Sequence, residues 1–164
     1  MKQLFLLRHA KSSWDDPTIS DLERPLNKRG KNDSFLMANV FKQLNLVPEL
    51  IISSNAKRAY STAKRIASVL YDNKNSLIVD DELYDASVES FMSFINSLND
   101  NFDKIMLVSH NPVITIITNK LTNTSITNMP TCGLALIEFN VSLWSEVKFN
   151  SGKLISFEYP KKYY

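Results

Sequence analysis

Glycine, cysteine and histidine are all scarce in these 164 residues, and each shortage removes a class of function. Only Gly30, Gly133 and Gly152 are present. Walker-type and dinucleotide-binding loops need clustered glycines to bring backbone amides onto a phosphate, so both are excluded. Cys132 stands alone, which rules out an internal disulfide and leaves no thiolate set for a zinc cluster. Apolar runs stop far short of the roughly 20 residues that a bilayer span requires. The N-terminal run is short and ends in charge, unlike a signal peptide, so a cytoplasmic location is expected. A net charge of +2 gives no reason to expect nucleic acid or a membrane surface as partner.

What remains is the composition of an ordinary globular protein, 44% hydrophobic and 22% charged, with material for one sizeable core. Gln3 to Leu7 is too short for a helix and suits a buried strand. Lys11 to Leu26 reads as a loop, after which Asn27 can cap a helix carrying Leu36, Met37, Val40, Phe41 and Leu44. Pro48 closes that segment. "LII" at 50–52 predicts a strand, Lys57 to Tyr71 a helix, Leu77 to Val79 a short strand, and the stretch carrying Val88, Phe91, Met92, Ile95 and Leu98 a helix. Lys104 to Ser109 is a strong strand and Pro112 to Leu121 a helix. The tail predicts strands at Leu134 to Val141, Ser145 to Phe149 and Lys153 to Tyr159, the last two joined by a turn at Asn150-Ser151-Gly152. Alternating strands and helices imply an α/β three-layer sandwich, its central sheet mostly parallel, with helices on both faces and an antiparallel C-terminal edge hairpin. No linker or repeat divides residues 1–164, so one domain is expected.

The two histidines are placed alike. His9 follows "LFLLR" and His110 follows "IMLVS", each just past the carboxyl end of a predicted buried strand. In open α/β sheets that edge is where ligands bind. "LIISS" runs out to the same edge and leads to Arg58, and Arg8 adjoins His9. Any one of these residues is more simply explained as solvated or structural. Four converging on one rim by independent strands are not. Arginine forks match phosphate oxygens and keep their charge. In "SHNPVIT", Asn111 can cap a helix with Pro112 in its first turn, setting His110 at the positive end of a dipole that suits an anion. Two histidines without acidic neighbours make a poor metal site, so no metal is expected.

"LLRHAKS", "SSNAKRAYSTA" and "VSHNP", in this order, resemble the histidine phosphatase superfamily. The small size and the "ERPLNKRGK" segment resemble its SixA-type phosphohistidine phosphatases, although "RHA" replaces the commoner Arg-His-Gly. The resemblance implies His9 as nucleophile, forming a phosphohistidine intermediate, with Arg8, Arg58 and His110 holding the phosphoryl oxygens and no cofactor. It implies a proton donor in "DDELYDAS", where Asp85 has the matching spacing and Glu82 is second choice. Arg24, in "ERPL", has a claim to substrate contact stronger than Lys11 or Ser12. Cys132, in "MPTCG", lacks the flanking loop of a cysteine phosphatase and is expected to be a small buried residue. The implied partner is a histidine-phosphorylated protein of the phosphotransfer type. The alternatives are a small phosphate ester as substrate, or a module that binds phosphate groups without catalysis.

Overall fold

The computed structural model describes residues 1–72 and 76–164. Its elements follow the order β1 (Lys2–Arg8), α1 (Lys28–Gln43), β2 (Leu50–Ser53), α2 (Lys57–Leu70), β3 (Leu77–Val79), α3 (Val88–Asn96), β4 (Lys104–Ser109), α4 (Val113–Thr122), β5 (Leu134–Phe139) and β6 (Gly152–Glu158). The six strands form one sheet in the order β3-β2-β4-β1-β5-β6. The first four of that order run parallel, and β5 and β6 add an antiparallel edge.

Alternation along the strands builds a separate core on each face. Leu4 and Leu6 of β1 face Phe91, Ile95, Ile114 and Ile117 of α3 and α4. Phe5 and Leu7 face Met37, Phe41, Ala63 and Ile66 of α1 and α2. Side chains two apart share a face, so a strand apolar throughout must be covered on both sides. No helix among the described residues is long and apolar enough to cross a membrane.

Three local expectations change. The α1 helix ends at Gln43, well before Pro48, because Asn45 takes a left-handed conformation at φ 57°. Ser145 to Phe149 is not a strand. Trp144–Glu146 forms a 3₁₀ turn, and β6 pairs directly with β5. Trp144 decides this: its indole is fully buried, its Nε1 donates to Phe102 O at 2.9 Å, and its backbone N donates to Asp100 Oδ1 at 2.7 Å. These tertiary bonds outweigh the weak strand propensity of the segment. Asn111 does not cap α4. Its amide donates to Asn128 Oδ1 and its oxygen accepts from Thr115 Oγ1, so Pro112 occupies the cap position. Asn27 does cap α1 as expected, Oδ1 accepting from Gly30 N at 2.8 Å.

The loop after β1 is held against α1 by a close approach. Asn27 N donates to Lys11 O at 3.0 Å, and a methyl group on Gly30 would overlap that carbonyl. Helix propensity alone favours Gly30→Ala by about 1 kcal/mol. Steric overlap with backbone that cannot retreat is expected to win, giving a net loss of about 1–3 kcal/mol. Urea denaturation checks this, and an unchanged or raised midpoint would show that the loop yields freely.

Candidate active site

The parallel register of β2, β4 and β1 brings three chain ends to one edge. Arg8 lies opposite Ser109, and Ser53 opposite Val108. Beyond the last ladder bonds, His9 N donates to Ser109 O at 3.1 Å and Ser54 N to Val108 O at 3.0 Å. His9, Ser54 and His110 therefore leave three adjacent strands together. The His9 and His110 rings lie 5.1 Å apart, centroid to centroid.

His9 is held in one tautomer. Its Nδ1 lies 2.7 Å from Ala10 O, and a carbonyl can only accept, so Nδ1 carries the proton and Nε2 keeps a lone pair. The loop is pinned from two sides. Ala10 N donates to Thr62 Oγ1, which in turn donates to Arg58 O on α2. Cys132 N, from a left-handed residue at φ 59°, donates to the carbonyls of both Arg8 and His9. Cys132 itself is fully buried, as expected, and burial pushes its thiol pKa up.

His110 Nε2 bonds Ser54 Oγ at 2.8 Å, and its Nδ1 is buried without a partner. The Tyr84 ring meets it edge-on at 5.5 Å. Burial lowers the pKa of His9 to about 3, with the charges of His110, Arg58 and Arg8 acting in the same direction. Burial, then Arg58, lowers that of His110 to about 4. Both rings are neutral at pH 7, so positive charge at this edge comes from arginine.

Arg8 Nη1 donates to Met129 O at 2.8 Å. Arg58 Nη1 donates to Asp21 O at 2.7 Å and its Nη2 to Asp21 Oδ2 at 2.9 Å. Arg24 joins them through the same carboxylate, Nη2 donating to Asp21 Oδ1 at 3.2 Å, while its Nη1 bonds the buried Ser12 hydroxyl. Arg24 also stacks on Trp14, 3.6 Å from guanidinium carbon to ring centroid. Asp21 offsets part of the three guanidinium charges, and the surplus positive charge suits an oxyanion.

Ser109 Oγ donates to Leu83 O at 2.9 Å and anchors the "DDELYDAS" segment beside β4. Asp85 is thereby exposed on an open cleft of about 290 Å³ that His110, Asn111 and Pro112 also line. Glu82 is exposed and lies outside that lining, and Lys11 is exposed on the loop. The sequence reading missed Asp21, Tyr84, Ser54 and Thr62. Ser54, Thr62 and Tyr84 stood within quoted segments without being singled out, and Asp21 sits in a loop whose partners are distant in sequence. Among the described residues no group of three or more His, Cys, Asp or Glu side chains could hold a metal ion.

Residues 4–93 match the model of the histidine phosphatase superfamily, branch 1. An uncharacterized chloroplastic protein of Arabidopsis thaliana is 30% identical over 159 residues, covering 92% of this chain and 72% of that protein. The phosphohistidine phosphatase SixA of Escherichia coli is 26% identical over 113 residues, covering 68% of this chain and 69% of its own. A crystal structure of a proposed phosphohistidine phosphatase SixA from Agrobacterium tumefaciens superposes with a TM-score of 0.82 at 27% identity, covering 97% of this chain and 98% of that one. The protein histidine phosphatase SixA complexed with tungstate superposes with a TM-score of 0.81 at 24% identity, covering 98% of both chains.

The buried neutral histidines predict a pH dependence of stability. Each has a folded pKa below the ordinary 6.5, so the unfolded chain binds protons that the folded chain refuses. Their contribution is complete above pH 6.5 and is lost as pH falls toward about 3 to 4. Carboxylates such as Asp21, whose pKa the Tyr84 hydroxyl and the two arginines lower to about 2, act only below their ordinary 3.8. Urea midpoints are expected to fall between pH 6.5 and 5 in the parent protein and to flatten there in a His9→Gln/His110→Gln variant. Equal slopes in both would show that the histidines titrate normally in the fold.

Proposed function

Because the chain belongs to the histidine phosphatase superfamily, we propose that it hydrolyses phosphohistidine on a protein partner through a phosphohistidine intermediate at His9. One observation carries this reading. His9 Nδ1 is bonded to Ala10 O, so the unprotonated Nε2 is the reactive atom, on the edge it shares with His110 and Arg58. A neutral imidazole in a desolvated site beside fixed cations is a nucleophile poised for phosphorus.

In the first step the Nε2 lone pair forms the bond to phosphorus as the bond to the substrate imidazole nitrogen breaks. The departing nitrogen takes a proton from water or from Asp85. Arg8, Arg58 and His110 carry the charge on the equatorial oxygens, the task that metal ions perform in many phosphoryl transfers. In the second step water attacks phosphorus as the bond to Nε2 breaks, the attacking water gives a proton back to the group or solvent that supplied one in the first step, Nε2 recovers its lone pair, and inorganic phosphate leaves. The tungstate complex of a structural neighbour is consistent with a tetrahedral oxyanion site in this fold.

A protein substrate is favoured by what covers the edge. Between α2 and β4 the described residues contribute only β3, one 3₁₀ turn and α3, with no inserted layer to roof the site. An open site admits a phosphorylated side chain presented by another protein, and phosphohistidine is the group that the name of the Escherichia coli relative gives for that enzyme. Partner and substrate occur in the same compartment as the enzyme, which for a chain of this composition is expected to be the cytoplasm.

The parent protein, incubated with a histidine-phosphorylated phosphotransfer protein, is expected to release phosphate and to yield an acid-labile phosphoenzyme on rapid quench. His9→Ala should show neither while remaining folded. Phosphoenzyme in that variant would remove His9 from the mechanism. Asp85→Asn separates the substrate classes. An imidazole leaving group needs little protonation, so phosphohistidine hydrolysis should slow only modestly. Alkyl phosphate hydrolysis should fall by roughly 10²–10⁴-fold, because alkoxide departure depends on a positioned acid. Efficient turnover of sugar phosphates with none of phosphohistidine would identify a metabolite phosphatase instead.

A further inference from the structure

Asp21 belongs to none of the recognisable motifs, yet its carboxylate is the hub of the edge. Oδ1 accepts from Arg24, Oδ2 accepts from both Arg58 and the Tyr84 hydroxyl at 2.7 Å, and the backbone carbonyl accepts from Arg58 as well. We propose that Asp21 is a positioning residue for oxyanion binding, one carboxylate that holds Arg58 and Arg24 in register and seats Tyr84 against His110. The proposal rests on reading this edge as a phosphoryl site.

Three features carry it. Arg24 and Arg58 are each more than nine-tenths buried, and buried cations need an anion within hydrogen-bonding reach. Asp21 is the one carboxylate among the described residues in ion-pair contact with either of them. Second, both guanidinium groups present their terminal nitrogens to Asp21, so one carboxylate ties the two planes together, with Ser12 and Trp14 as further supports for Arg24 alone. Third, Tyr84 places its hydroxyl on Asp21 and its ring perpendicular to that of His110, extending the same control to the second histidine. Asp21 touches neither histidine, so it acts through the arginines and Tyr84.

Two effects of removing the charge oppose one another, which makes the sign of the result informative. Losing a carboxylate beside the site raises the local positive potential and by itself strengthens anion binding. Losing the hub frees two long side chains and turns an amide NH₂ toward a guanidinium or a hydroxyl, donor against donor. Charge-assisted hydrogen bonds at short range outweigh the field of a half-exposed, solvent-screened group. The orienting effect is therefore expected to win.

The test measures tungstate binding to the parent and Asp21→Asn proteins by titration calorimetry at 25 °C, with thermal midpoints taken alongside. Asp21→Asn is expected to bind tungstate roughly 10- to 100-fold more weakly, the loss expected for one or two charge-assisted bonds, with a thermal midpoint below that of the parent, since two buried arginines lose their anion, but with the variant still folded at the 25 °C of the titration. Equal or tighter binding by the variant would overturn the proposal and make Asp21 a competitor for the arginines. Failure of the parent protein to bind tungstate would instead overturn the oxyanion site itself. Should the variant not fold, the parent protein alone decides by NMR. Slowly rotating guanidinium resonances of Arg58 and Arg24, coupled to the Asp21 carboxyl carbon, are expected, and freely rotating ones would overturn the proposal.

Discussion

The pairing of β1 with β4 is the constraint on which the site depends. Parallel strands in register must end together, and this register sets Arg8 opposite Ser109. One residue further, the bond from His9 N to Ser109 O extends the ladder to the last backbone group before the two chains diverge. A slip of one residue would send His9 and His110 to different depths and, by the two-residue period of strands, to opposite faces. Register is protected because both faces of β1 are buried, Leu4 and Leu6 against one pair of helices, Phe5 and Leu7 against the other. The same apolar run that makes the strand therefore aligns the chemistry at its end.

Placing cations at such an edge conflicts with burial, and the molecule resolves the conflict in two ways. The histidines stay neutral, so they add no charge to a crowded site and keep a lone pair available. The arginines cannot lose their protons, so each is held by carbonyls, hydroxyls or the Asp21 carboxylate. The remaining net charge suits the group that the site is inferred to receive. Arginine Nε atoms at positions 8, 24 and 58 are left without partners, a cost the fold carries to keep three guanidinium groups close together.

The sequence by itself determined the sheet, the helices and the convergence of Arg8, His9, Arg58 and His110 on one edge. These are consequences of local periodicity and of the rule that parallel strands present one common end. It also determined the Asn27 cap, because capping involves only the next three residues. Only the tertiary structure decided the rest. Trp144 turned an expected strand into a 3₁₀ turn through bonds to Asp100 and Phe102, more than forty residues away. Asn111 was drawn from its cap by Asn128 and Thr115. Asp21 gained its place through Arg58 and Tyr84, 37 and 63 residues onward. Apart from the Asn111–Thr115 bond, these join residues far apart in sequence and leave no periodic trace in the chain, since their geometry exists only after the strands have paired.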